Sequence, residues 1–74
     1  MPPPYELATV RLARELALPM EAVKQDLDTL EREGVPAIDR PDWLRAMQGR
    51  RASLTDVLEA VRKGLTPWDW EDLP

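Results

Sequence analysis

Apolar residues recur at offsets of three and four along most of this chain. Two such runs lie between residues 12 and 34, one with Leu12, Ala13 and Leu16, the next with Met20, Val23, Leu27 and Leu30. These offsets place each run on one face of a helix. Pro19 ends the first helix but fits the first turn of the next, and Gly34 is typical of a helix end. The pattern predicts helices over about 5–18 and 19–33 that pack face to face, as in a helix-turn-helix.

Two further helices are predicted after Gly34. Residues 35–38 should be extended because Pro36 disfavours helix in the residue before it. Asp39 before Pro41 is typical of a helix start, and the buried side of the third helix would contain Trp43, Leu44 and Met47, with an end at Gly49. Ser53 and Asp56 have the spacing of a capping box. It opens a fourth helix, ended by Gly64, whose apolar face contains Leu54, Val57, Leu58 and Val61. Leu27 and Leu58 lie mid-face and are expected in the core.

The C-terminal segment combines tryptophan with acids in the sequence WDWEDLP. Thr66 and Pro67 repeat the cap-then-proline signature, so residues 67–72 can form one more helical turn. On such a turn Trp68 and Trp70 point about 200° apart, and both cannot cover the fourth helix. We expect Trp68 to pack against the fold and Trp70 to be available to a partner.

The expected architecture is therefore all-α: four short helices around a helix-turn-helix core, with no true wing and a Trp-bearing tail. Seventy-four residues correspond to one small domain. We divide the chain into a flexible N-terminal arm over 1–4, a helix-turn-helix-like domain over 5–65 and an acidic tail over 66–74.

The composition argues against catalysis. The chain has neither cysteine nor histidine, so the usual nucleophile, general base and commonest metal ligand are missing, and no phosphate-binding glycine loop replaces them. We expect no enzyme activity, cofactor, metal or small-molecule substrate. The sequence lacks an apolar run of membrane-spanning length, which predicts a cytoplasmic protein without membrane contact. Eight prolines, two glutamines and no asparagine favour a heat-adapted protein.

Charge is distributed unevenly around a net of −4. Residues 20–33 hold five acids and two bases, and residues 64–74 hold three acids and no base, so each segment carries −3. Residues 40–63 hold six bases and three acids, a net of +3. The positive charge therefore lies outside the helix that would read DNA in a helix-turn-helix protein.

With these elements placed, the chain resembles the MerR-like and excisionase-like helix-turn-helix families. An aromatic-led start precedes two helices in these families, the second ends in a Gly-apolar-Pro run, and a Trp-bearing segment and further helices follow. The matching positions are Tyr5, Leu7, Val10, Leu16, Val23, Leu27, Gly34–Ala37, Trp43 and the serine-led segment Ala52–Leu58.

The chain departs from those families in two respects. About five residues separate the second and third helices, too few for a β-hairpin wing, and the second helix is acidic. Chaperone-modulator proteins, which bind J-domain cochaperones through a MerR-like unit, are similar in using it for protein contact. The resemblance thus implies either DNA binding or a role such as that of a DnaK–DnaJ assembly factor.

Two functions follow as hypotheses. The first is a non-catalytic adaptor or modulator that binds a protein with a basic surface, for example a chaperone or cochaperone, through Glu21, Lys24, Gln25, Asp28, Arg32, Trp70 and Leu73. The alternative is a DNA-binding regulator or an antitoxin that contacts phosphates through Arg40, Arg45, Arg50 and Arg51, with Arg62 and Lys63 extending the patch. The same patch would also suit an acidic partner. Glu21 and Asp28 would repel phosphate, which favours the adaptor.

Overall fold

The computed structural model describes the backbone of residues 4–74 and the side chains from Leu7 onward. Within that range the chain is entirely helical outside its turns: α1 (Pro4–Leu16), α2 (Met20–Arg32), α3 (Arg40–Arg50), α4 (Leu54–Arg62) and α5 (Pro67–Glu71). The all-α prediction is confirmed. The count differs from four, because the segment taken as a tail forms α5.

The N-terminal boundary also differs from the prediction. Pro4, assigned to a flexible arm, is the first residue of α1, a position where its missing N–H costs no hydrogen bond. The other residues of that arm, 1–3, lie outside the described range.

Helices α1 and α2 pack against each other across the turn Ala17–Pro19. The turn forms because Ala17 takes a left-handed φ of 55° and the N–H of Leu18 donates to the carbonyl of Ala13 at 3.0 Å. The predicted apolar faces supply the contact, with these residues buried: Leu12, Ala13, Leu16, Val23 and Leu30. Leu27 packs against them while partly exposed. Met20, predicted on this face, is 41% exposed.

Helix α3 contacts each of the other four helices and forms the centre of the molecule. Its residues Trp43, Leu44 and Ala46 are buried, and Met47 packs partly against them. Its ends differ from the prediction. Asp39 makes no side-chain capping hydrogen bond, and the helix passes through Gly49 to end where Arg51 adopts a φ of 55°.

The connection between α2 and α3 is only partly as predicted. Gly34 ends α2 with a φ of 81°, and Val35 is buried behind it. Residues 37–39 form a turn rather than an extended segment, in which the N–H of Asp39 donates to the carbonyl of Pro36 at 3.0 Å. Within residues 4–74 there is no strand, and hence no wing there.

The two C-terminal helices begin with matching capping boxes. The N–H of Asp56 donates to Ser53 Oγ at 3.2 Å and the N–H of Ser53 to Asp56 Oδ2 at 3.0 Å. Thr66 and Asp69 make the same reciprocal pair at 3.2 and 3.1 Å. Val57 and Ala60 bury the apolar face of α4, and Leu58, expected in the core, is partly buried against it. The capping box predicted at Ser53 is therefore present, and the helix start predicted at Thr66 is a capping box as well.

Candidate partner-binding surfaces

The two tryptophans of α5 lie in opposite environments. Trp70 is 7% exposed, and its ring centroid is 5.7 Å from that of Trp43, with the ring planes tilted by 51°. Trp68 is 53% exposed. The sequence-based assignment of Trp68 to the core and Trp70 to the surface is therefore wrong. It assumed that α5 covers α4, whereas α5 packs mainly along α3.

Arg50 holds the buried side of α5 in place. Its Nη1 donates to the carbonyls of Trp70 at 2.6 Å and of Leu73 at 2.9 Å, and its guanidinium carbon lies 4.9 Å from the centroid of the Trp70 ring. These bonds add a side-chain donor at the C-terminal end of α5, where the Trp70 carbonyl also accepts from the N–H of Leu73 at 3.2 Å. Arg50 thus stabilises the fold from a position predicted to bind phosphate or an acidic partner. Leu73, assigned to partner binding, remains 46% exposed.

Two other arginines of the predicted basic patch, Arg40 and Arg45, also have internal partners. Arg40 Nε donates to the carbonyl of Val35 at 2.9 Å. Arg45 pairs with Glu15 on α1 at 2.6 Å and with Asp42 at 2.9 Å. The hydrogen bond from Arg45 is the main reason why the pKa of Glu15 lies below its ordinary value.

Arg62 follows the same trend, since it pairs with Glu33 at the end of α2 at 2.6 Å. Of the six bases considered for phosphate contact, Arg51 and Lys63 make none of the described ion pairs or side-chain hydrogen bonds. Each of the other four has different neighbours, so the positive charge of residues 40–63 is not gathered on one free surface.

The outer face of α2 is charged and open to solvent. All five residues assigned to it from the sequence are exposed: Glu21, Lys24, Gln25, Asp28 and Arg32. Lys24, Asp28 and Arg32 follow one another at i, i+4 spacing on this face, but the described ion pairs include none of them. On the flank, Asp26 is partly buried, and desolvation raises the pKa of its carboxyl. The face is thus free of intramolecular ion pairs among the described residues.

Two grooves lie elsewhere on the surface. One, of about 370 Å³, runs between the C-terminal end of α3, α4 and α5, where Arg51, Lys63 and Leu73 line it together with Asp56 and Glu59. The other, of about 300 Å³, is mostly apolar and lies between α1, α2 and the start of α3, lined by Ala8, Leu12, Leu27, Ala37 and Pro41 among others. The first groove mixes both signs of charge, whereas the second is lined by apolar side chains together with Thr9 and Arg40.

Neither a metal-binding cluster nor a membrane-spanning helix is present in the described part of the chain. Its acids do not gather into any group of three or more that could hold a metal ion. None of its helices has the length and apolar character needed to cross a membrane. Comparison of the chain with protein-family models, curated proteins and solved structures found no match. The surfaces themselves are therefore the basis for a functional proposal.

Proposed function

We propose that this protein is a non-catalytic adaptor or modulator that binds another protein having a basic surface. The outer face of α2 carries the proposal. It presents Glu21, Asp28 and Lys24 to solvent on a helix whose opposite side, with Val23 and Leu30, is buried in the core. A helix fixed by its apolar side presents its polar side in a constant arrangement, which lowers the entropic cost of binding.

The exposed charges of α2 and α5 favour a partner with a basic surface. The exposed part of α2 contains Glu21, Asp28 and Glu31 against Lys24 and Arg32, and α5 adds further acids with no base. Surfaces of this sign attract positively charged proteins and accelerate their encounter. A cofactor of the DnaK/DnaJ chaperone system is the concrete example that the resemblance to chaperone modulators suggests.

The alternative, a DNA-binding regulator, receives less support. Phosphate contact requires free cations, and Arg40, Arg45 and Arg50 each have an intramolecular partner. Using them would cost the bonds that they already make. We therefore expect no sequence-specific duplex binding tighter than about 10⁻⁶ M at physiological salt. A selected DNA site bound at nanomolar concentration would overturn the adaptor proposal.

Affinity capture followed by mass spectrometry tests the adaptor function directly. The wild-type chain and Asp28→Lys are used as baits, with Glu59→Lys on α4 as a control of identical charge change. We expect a defined set of proteins that the wild type and the control retain and that Asp28→Lys loses. If Asp28→Lys captures the same proteins as the wild type, the outer face of α2 is not the binding surface and the proposal fails.

A further inference from the structure

Helix α5 exposes a large aromatic side chain that its own packing does not use. Trp70 makes the ring contact with Trp43 and lies under Arg50, so it supplies the aromatic contact to the core. Trp68 is 53% exposed on the same short helix. Tryptophan contributes strongly to binding when a partner buries it, and it is enriched among interface hot spots. The packing of the fold therefore does not explain why a tryptophan occupies this position.

Two acids accompany Trp68 on its side of the helix. Glu71 and Asp72 follow it by three and four residues, the offsets that make neighbours on a helix surface. The N–H of Asp72 donates to the carbonyl of Trp68 at 3.2 Å, which closes this turn. Both acids are exposed, and neither takes part in the ion pairs found among the described residues.

The position of these acids is also electrostatically unfavourable for the helix. The C-terminal end of a helix carries partial negative charge and favours cations, yet α5 ends in Glu71 and Asp72 and has no base in its last turn. Their charges therefore do not stabilise α5. Arg50 already donates to carbonyls at this end of α5, so an external cation would compensate the two carboxylates.

We propose that Trp68, Glu71 and Asp72 form a docking surface for an arginine-bearing segment of a partner protein. The guanidinium would stack on the indole of Trp68 while donating hydrogen bonds to the two carboxylates. This inference rests on the proposed adaptor function and assigns it a second contact surface.

Arginine fits this surface better than lysine. A planar guanidinium stacks on an indole and keeps its N–H groups available for carboxylates at its edge, whereas an ammonium is a more strongly hydrated point charge. The molecule contains an example of this geometry, in which Arg50 lies 4.9 Å from the Trp70 centroid while donating to two carbonyls. A second copy of the chain docking by the same surface would bring four carboxylates together, which repulsion disfavours.

The test uses the full chain, labelled with ¹⁵N, titrated separately with acetyl-tetra-arginine amide and acetyl-tetra-lysine amide. We expect saturable shifts at the Trp68 indole N–H and at the amides of Glu71 and Asp72, with tighter binding of the arginine peptide. Trp68→Ala should raise the Kd about threefold or more, as expected for loss of a cation–π contact. Glu71→Gln with Asp72→Asn should weaken binding in the same direction.

A charge-matched control separates this surface from general acidity. The pair Asp39→Asn with Glu59→Gln removes the same two charges from positions outside α2 and α5 and should change the Kd less than twofold. Shifts confined to α2, equal affinity for the two peptides, or an unchanged Kd in Trp68→Ala would overturn the docking surface. If Trp68→Ala still captures in full the proteins that Asp28→Lys loses, this inference fails while the adaptor function stands. Capture unaffected by Asp28→Lys removes the adaptor function itself.

Discussion

Helices α2 and α5 were both expected to contact a partner, and they present their surfaces in different ways. The 13 residues of α2 bury one side, with Val23 and Leu30, and expose the other, as its periodicity predicts. The five residues of α5 bury Trp70 and expose Trp68, the reverse of the prediction. Periodicity over several turns thus identifies a buried side, whereas in a single turn it shows only that two side chains diverge.

The two helices are also held by different interactions. Helix α2 has no side-chain cap and depends on apolar packing and on the turns at Pro19 and Gly34. Helix α5 is too short for extensive packing and depends on its capping box, on Arg50 and on the buried Trp70. Short helices are marginal on their own, so these specific contacts decide whether α5 forms. We therefore expect α5 to be the more sensitive of the two to single polar substitutions.

The largest effect should come from Trp70→Ala. Removing this ring leaves a cavity beside Trp43 and deprives Arg50 of its stacking partner, so we expect a loss of about 3–5 kcal/mol in the free energy of unfolding. Trp68→Ala, the matched control two residues away, should stay within about 0.5 kcal/mol of the wild type. Urea denaturation followed by circular dichroism measures both. Similar losses in the two variants would mean that α5 does not divide its tryptophans between core and surface.

Leu30→Ala tests the packing of α2 in the same way. Leu30 is fully buried, so its truncation should cost about 2–5 kcal/mol. Leu27 is partly exposed on the same side, so Leu27→Ala should lower the free energy of unfolding by less. Thermal and urea denaturation of the two variants check the order. A larger loss of stability in Leu27→Ala than in Leu30→Ala would mean that the core contact of α2 is centred at Leu27.

Arg50→Met should destabilise the attachment of α5 by about 1–3 kcal/mol. Methionine retains much of the aliphatic length but removes the Arg50 donor from the carbonyls of Trp70 and Leu73, of which Trp70 still accepts from the N–H of Leu73 at 3.2 Å. Arg51→Met, in the adjacent turn, is the control and should have little effect, because Arg51 makes no ion pair among the described residues. Amide hydrogen exchange in residues 68–73 should accelerate in Arg50→Met alone. Unchanged exchange there would exclude Arg50 as the contact that holds α5.

The smallest effect concerns the capping box of α5. Hydrogen bonds from the side chain and backbone of Thr66 hold the pKa of Asp69 below its ordinary value. Because the folded pKa is lower than the unfolded one, the stabilisation is present above the unfolded pKa and is lost as the pH falls through the folded pKa. The Tm of the wild type should exceed that of Asp69→Ala at neutral pH, and the difference should shrink on acidification. A constant difference across that range would mean that the ionised carboxylate does not cap α5.

The sequence was sufficient for features that depend on neighbouring residues. Both capping boxes, the left-handed Gly34 and Gly64, and the buried sides of α1 and α2 follow from local spacing. The local rules for helix ends were less reliable for α3, where more than one residue could end the helix. Gly49 was expected to end α3, but Arg51 adopts the left-handed conformation instead, since the helix gains packing and hydrogen bonds by continuing.

The arrangement of the candidate surfaces depended on contacts that no local pattern contains. Arg45 pairs with Glu15, 30 residues away, and Arg50 reaches carbonyls on α5, so a charged cluster in the sequence did not become a free patch in the fold. The outer face of α2 was predictable because it lies opposite the apolar residues of the helix, which their spacing identifies. The exposure of Trp68 was not, because it depends on which neighbour α5 packs against.

The indole N–H signals of the full chain test most directly the claim that α5 buries Trp70 and exposes Trp68. Their solvent exposure can be measured by NMR with a soluble paramagnetic agent, with Trp68→Phe assigning one of the three signals. Only the Trp68 signal should be strongly broadened, while those of Trp43 and Trp70 persist. Strong broadening of the Trp70 signal with protection of the Trp68 signal would contradict this claim. The exposed aromatic surface of α5 would then lie around Trp70.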